Sequence, residues 1–303
     1  MTGFTGFIGS PPKGAGIQIF KTSGNFIVPE ANFYLIDIFG GGGSGGATDY
    51  ASNGIVYPGG GGGARNRQLF SKNICKPGLV LPVLIGSGGA PATSTTNINI
   101  VGANGGKSSV GSPVLGVFLE AYGGCGVGSN CNGGGGVFSS GTASGFGGNP
   151  CVAYSPAPGS GMVTSNVANA CNDGGGASVV TFSGSFYLGG AIFGGGAAYS
   201  IGNSSGGSGG NSLYAGGGGA SGNGWNAGFS GAFDSSGTTF SRSINGEIGK
   251  LIGGAGNGGQ SNFSGSNSAN SNGGFPSGGG GSVSVPGVPS GKGGDGLVVI
   301  YWW

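Results

Sequence analysis

Glycine is the constraint this chain has to satisfy. It supplies 83 of 303 residues and gathers in blocks at 40–43, 59–63, 133–136, 174–176, 194–196, 216–219 and 278–281, with shorter pairs between them. Ordering each backbone residue costs about 1–2 kcal/mol, and glycine has no side chain whose burial offsets that cost. Such a composition therefore ordinarily stays disordered. Order requires close backbone approach. Without a Cβ, extended segments can lie side by side at distances other residues forbid. Their N–H and C=O groups can then pair with neighbouring segments instead of water. The expected scaffold is a bundle of extended, polyglycine-II-like segments, with the residues between blocks as surface loops.

Composition narrows the function. Only 6% of residues are charged, the net charge is +2 and there is no histidine. That is too little basic charge to track a phosphate backbone, so nucleic acid is not expected as a partner. Lack of histidine removes the commonest metal ligand and general base. No apolar run approaches the roughly 20 residues of a membrane-spanning helix, and membrane insertion is not expected. The first residues, Met1 to Gly9, show no basic segment followed by an apolar core, so no secretory leader is read there. A chain built like an extracellular material but without an export signal points to assembly into a particle. The cysteines are Cys75, Cys125, Cys131, Cys151 and Cys171. An odd count without a Cys-x-x-Cys pair argues against a zinc site. Two readings of them stand: loops closed by Cys125 with Cys131 and Cys151 with Cys171, or reduced, small apolar residues.

The apolar residues are unevenly spread. Gly3, Gly6 and Gly9 recur at a spacing of three before Pro11-Pro12, a short collagen-like echo. It reads either as a tail meeting a trimeric partner or as an irregular arm over 1–15. From 16 to 122 the pattern is that of strands: 17–20, 26–29, 33–39, 68–70, 79–85, 98–101 and 114–122. Pro82 places the run 79–85 at an edge or bulge. The closing run 297–303, Leu-Val-Val-Ile-Tyr-Trp-Trp, needs a buried sheet to join, and the only large one is at the other end of the chain. The fold class is therefore all-β. It is an antiparallel β-sandwich over 16–122 completed by 297–303, followed in sequence by a glycine-rich extended-segment domain over 123–296. No helical period survives this much glycine.

At the two ends the residues form a recognisable pattern. An aromatic strand and turn lead to Phe26-Ile27-Val28-Pro29, a second strand runs through Ile36-Asp37-Ile38-Phe39 into Gly40-Gly41, and the close is Gly294-Asp295-Gly296-Leu297-Val298-Val299-Ile300-Tyr301-Trp302. With the segment from Pro58-Gly59 to Ala64-Arg65, this resembles the glycine-rich domain of bacteriophage tail-fibre and tail-tip adhesins, found also in structural proteins of large DNA viruses. The resemblance spans roughly 16–90 and the last ten residues; the middle is similar in composition only. It implies packed polyglycine-II segments with variable loops at one end that touch the host receptor.

Motifs of chemistry fail on inspection. Residues 254–259 satisfy G-x-G-x-x-G, but the Gln-Ser-Asn-Phe-Ser-Gly that follows cannot supply the helix N-terminus a pyrophosphate needs. Gly106-Lys107-Ser108 resembles the end of a phosphate loop, yet the first glycine would fall at Val101. The carboxylates Glu30, Asp37, Asp49, Glu120, Asp173, Asp234, Glu247 and Asp295 are scattered, and Asp295 reads as a turn residue before the last strand. No catalytic residue, metal or cofactor is expected, and no enzymatic activity. Lone aromatics in Ser/Asn/Gly-rich surroundings are either core or stacking platforms. The receptor-binding candidates are Tyr154, Tyr199, Tyr214, Trp225, Phe229 and Phe233. The leading expectation is a virion structural protein, a fibre-tip or tail-tip adhesin on the particle surface. Its partners would be other virion proteins, in a trimeric fibre or a capsid, and a host-surface glycan or protein. The alternative is a cement or minor capsid protein without a receptor. An ice- or matrix-binding protein would need a regularly repeated Thr, Ser or Ala face, which the unequal inter-block segments lack.

Overall fold

β-branched and aromatic residues at a period of two set the strands, because alternate side chains then reach one face of a pleated sheet. The computed structural model describes residues 14–46, 55–56, 59–93, 100–126, 135, 200–201, 273 and 289–303. Among them the strands are β1 (Gly16–Phe20), β2 (Gly24–Ile27), β3 (Phe33–Phe39), β4 (Ile55–Val56), β5 (Arg65–Ser71), β6 (Val80–Leu84), β7 (Ser108–Ser112), β8 (Val117–Ala121), β9 (Ser200–Ile201) and β10 (Leu297–Trp302). The fold of the described residues is all-β. One four-stranded antiparallel sheet has the order β1-β10-β3-β5 and the other β2-β6-β7-β8; β4 and β9 form a separate short ladder.

The two sheets share one buried cluster. Tyr34, Ile36, Ile38, Phe70, Val298 and Ile300 reach it from the first, and Phe26, Leu81, Val83, Val110, Val117 and Leu119 from the second. Tyr34 is fully buried, and its hydroxyl donates to the Pro29 carbonyl at 2.6 Å, which fixes the crossing from β2 to β3. The far face of β3 is buried at its glycine end only. There Phe39 packs with Leu297 and Val299, and the Arg65 guanidinium grips both oxygens of Asp37 while lying 5.3 Å from the centre of the Phe39 ring. Both ionic partners are buried. The bidentate geometry offsets their desolvation, and removing either one would strand the other.

Three local expectations change. Pro82 does not lie on an edge strand, since β6 sits between β2 and β7. However, β7 pairs only with Val83 and Leu84, so at Pro82 the strand has a partner on the β2 side alone and the missing N–H is harmless. The run 114–122 is not one strand: Pro113–Leu115 forms a 3-10 turn closed by Gly116 at φ 70°, and β8 starts at Val117. In 98–101, Ile100 makes a β-bridge while Val101 is exposed and outside any strand, and 94–99 lie outside the described residues. A strand that sequence reasoning overlooked, β7, reads Ser-Ser-Val-Gly-Ser. Its Gly111 sits at φ 75°, where an added Cβ would stand 2.0 Å from the Val117 carbonyl oxygen.

The last apolar run is an interior strand, with β1 on one side from Gly16↔Trp302 to Phe20↔Val298 and β3 on the other from Leu297↔Phe39 to Trp302↔Tyr34. Deleting residues 297–303 should therefore abolish cooperative unfolding, a larger loss than the roughly 0.5–3 kcal/mol of a point substitution. A truncated chain that still melts cooperatively by circular dichroism would contradict this placement.

Candidate functional site

Six strands open at the same end of the molecule into glycine-rich segments. β3 runs into 40–46, β6 into 85–93 and β8 into 122–126, while 59–64 lead into β5, 100–107 into β7 and 289–296 into β10. The segment from β3 lies at the centre. Its successive N–H groups turn through three neighbours in rotation: Gly40 donates to Ala64 and Gly43 to Gly61, Gly41 to Gly106 and Ser44 to Ala103, Gly42 to Gly294 and Gly45 to Gly291, all at 2.8–3.1 Å. A period of three is what an extended helix with three residues per turn presents. Its carbonyls accept from the two remaining segments, Gly41 from Gly124 and Gly42 from Gly89. The surrounding segments also bond one another, through Gly61 to Cys125, Gly105 to Gly124, Gly106 to Ser87 and Gly293 to Gly89. Sequence ranges on either side of residue 122 thus interleave.

At its close approaches the packing leaves no room for a side chain. A Cβ on Gly43 would stand 2.1 Å from the Cys125 carbonyl oxygen, and one on Gly41 2.4 Å from that of Ser87. Where other residues occur, their side chains serve as extra backbone partners. The Ser44 hydroxyl accepts from the Ala103 N–H at 2.8 Å, and the buried Ser290 hydroxyl accepts from Ala92 N–H and donates to the Gly45 carbonyl. Ser108 Oγ accepts from Gly86 N–H and Asn104 Oδ1 from Gly126 N–H. Asp295 does more than shape a turn: its Oδ1 accepts from Gly88 N–H at 2.7 Å and pairs with Lys292. Burial alone would raise its pKa, but the Gly88 and Lys292 bonds outweigh that and hold it below the usual carboxylate range. The sequence reading gives none of these residues a backbone partner, and takes Asp295 for a turn residue alone.

The groups with chemical potential are committed to structure. Lys107 bonds Glu120 and lies 5.3 Å from the Tyr122 ring centre; with Ser108 holding Gly86, the phosphate-loop likeness dissolves into lattice contacts. Cys75 and Cys125 are free, buried thiols, each pushed up to about 11 by burial. Cys125 Sγ donates to Asn104 Oδ1 at 3.3 Å. Cys131, Cys151 and Cys171 lie outside the described residues, as do Asp49, Asp173, Asp234, Glu247, the motif at 254–259 and the arm at 1–13. All six receptor-binding candidates, Tyr154, Tyr199, Tyr214, Trp225, Phe229 and Phe233, also lie outside them. Among the described residues no group of three or more Cys, Asp or Glu is placed to hold a metal, and no helix is long and apolar enough to cross a membrane.

The first sheet leaves apolar side chains at its surface. Its outer face carries a row across all four strands, Ile17, Tyr301, Leu35 and Leu69. Ile17 and Ile19 are each 54% exposed and Leu69 52%. Beside the row, the rings of Phe33 and Trp303 stand 6.0 Å apart. The sequence reading assigns recognition to later loops, outside the described residues, and does not single out this face. The alternation of Ile17 and Ile19 with Gln18 was the available signal.

The lattice generates a direct test. Gly43→Ala should lower stability by at least the roughly 1–3 kcal/mol typical of overpacking. Gly24→Ala, whose added methyl would meet only the Phe20 ring at 3.8 Å, should leave it within about 0.5 kcal/mol. Equal denaturation midpoints for the two variants would show that the central segment is not tightly packed. Among known proteins, no family model and no curated sequence matches the chain.

Proposed function

We propose that this chain is a structural protein of a virus particle, set at a fibre or tail tip, whose loops attach the particle to a host surface. In this reading the two sheets close as a β-sandwich completed by β10, and polyglycine-II-like packing continues through the glycine blocks between 123 and 296. The supporting observation is the rotation of the 40–45 N–H groups through three neighbouring segments. A lattice of that kind anchors the roots of its loops by main chain alone, so the loops are free to differ in length and side chain. Binding gathers on loops that a rigid scaffold positions.

The rings at Tyr154, Tyr199, Tyr214, Trp225, Phe229 and Phe233 are the contacts this reading assigns to a host glycan or protein, with Trp225 first because Trp is enriched at binding hot spots. Other virion proteins hold the base, and the chain sits on the particle surface. It binds rather than catalyses, with no cofactor, metal, nucleic acid or membrane span. A second reading, a cement or minor capsid protein, draws support from the exposed Ile17, Ile19 and Leu69 on the first sheet, since exposed apolar patches mark protein contacts.

Fab fragments raised against the purified chain separate the two on intact particles. The attachment reading expects labelling of the distal tip and loss of adsorption to host cells. Labelling only after the particles are disrupted would overturn attachment and leave the cement role, and particles that never label would contradict both.

A further inference from the structure

Sheet edges offer unpaired N–H and C=O groups to any extended chain, and proteins usually guard them with charge, proline, bulges or a covering element. On one side of this molecule they are guarded. β5 carries Arg65 and Arg67, β8 carries Glu120, and Asn66 Nδ2 ties the two sheets by donating to the Glu120 carbonyl at 2.9 Å. The other side differs. β1 ends the first sheet and β2 ends the second. The two are joined by residues 21–23, and the edge-to-face rings of Phe20 and Phe26, 6.5 Å apart, hold them on one side. β1 reads Gly-Ile-Gln-Ile-Phe, with no charge and no proline, and Ile17, Gln18 and Ile19 are all exposed. Among the described residues no strand pairs with its outer side.

We infer that β1 is a pairing edge for a second copy of this chain, the two β1 strands running antiparallel about Gln18. The sequence Ile17-Gln18-Ile19 is palindromic, so this register is self-complementary: each Ile17 faces the other copy's Ile19, and Gln18 faces its own counterpart. A two-fold interface requires that kind of patch. Ile–Ile pairs directly opposite are favourable β-branched neighbours, and no like charges meet in the strand pair. Across the junction the row Ile17, Tyr301, Leu35 and Leu69 continues into the other copy's Ile19 and Val299, and the first sheets of the two copies become one sheet of eight strands. A second copy fits better than an unrelated strand because the symmetry lies in the sequence of β1 itself. One five-residue pairing with its flanks falls short of the ~1,000 Å² of a durable interface, so the dimer is reversible and concentration-dependent. The inference does not depend on the function proposed above.

Two measurements test it on the full chain. Sedimentation velocity over a wide concentration range should show a monomer–dimer equilibrium that Ile17→Lys combined with Ile19→Lys abolishes, with the thermal melt unchanged. Gln18→Cys should give a disulfide-linked dimer whose bridge, located by peptide mass spectrometry, joins the two introduced thiols. Antiparallel partners stand about 4.5–5.5 Å apart at Cα, within disulfide reach. If the double lysine variant fails to fold, the cross-link decides alone. A chain that stays monomeric at every concentration, a dimer that survives both lysines, or oxidation that never bridges position 18 would each overturn the inference.

Discussion

The six N–H groups of residues 40–45 pass in turn to three neighbouring segments, and the whole glycine-rich end of the molecule is spaced to let them do so. Each bond is an ordinary amide hydrogen bond, worth about 0.5–1.5 kcal/mol net. Their importance lies in the alternative. A buried amide without a partner costs about 1–3 kcal/mol, and residues 40–46 are all buried. Every residue must therefore find a partner on a different side from the one before it. Only a backbone with three residues per turn and no Cβ in the way meets that demand.

The lattice and the sheets are one construction. Strands leave the sheets in alternating directions, yet the ends of β3, β5, β6, β7, β8 and β10 that lead into glycine lie together. β3 is interior to its sheet and its continuation is interior to the lattice, so one stretch of chain, 33–45, forms the axis of both. At their junction the chain spends its buried ion pair, Asp37 with Arg65, on the far face of β3 beside Phe39. This ion pair stands where the geometry changes from pleated strand to three-fold helix. A bidentate pair there fixes the register of β3 against β5, because only one alignment satisfies both partners.

How much of this could be read from the sequence varied with the physics involved. Strands at 17–20, 33–39 and 297–302 announce themselves through β-branched and aromatic residues, and an apolar closing run must find a sheet. The strand Ser108–Ser112 was illegible because its place is set by its partners β6 and β8 rather than by its own side chains. Packing between glycine segments was legible as a requirement but not as a register: nothing in the letters Gly-Gly-Gly says which carbonyl each N–H will meet. For the same reason the sequence shows no backbone partner for Ser44, Ser290 or Asn104, and only a turn role for Asp295. The recognition candidates from Tyr154 to Phe233 belong to ranges outside the described residues, and the described candidate surface came from Ile17 and Ile19, whose alternation read simply as a strand.

Amide hydrogen exchange in the native protein tests the central claim most directly, since it reads each backbone N–H by the opening that exposes it. If residues 40–45 are the shared axis, their amides should exchange only with global unfolding, as slowly as those of β3 and β10. Rapid exchange at 40–45 while β3 stays protected would make the segment an ordinary linker and contradict the account.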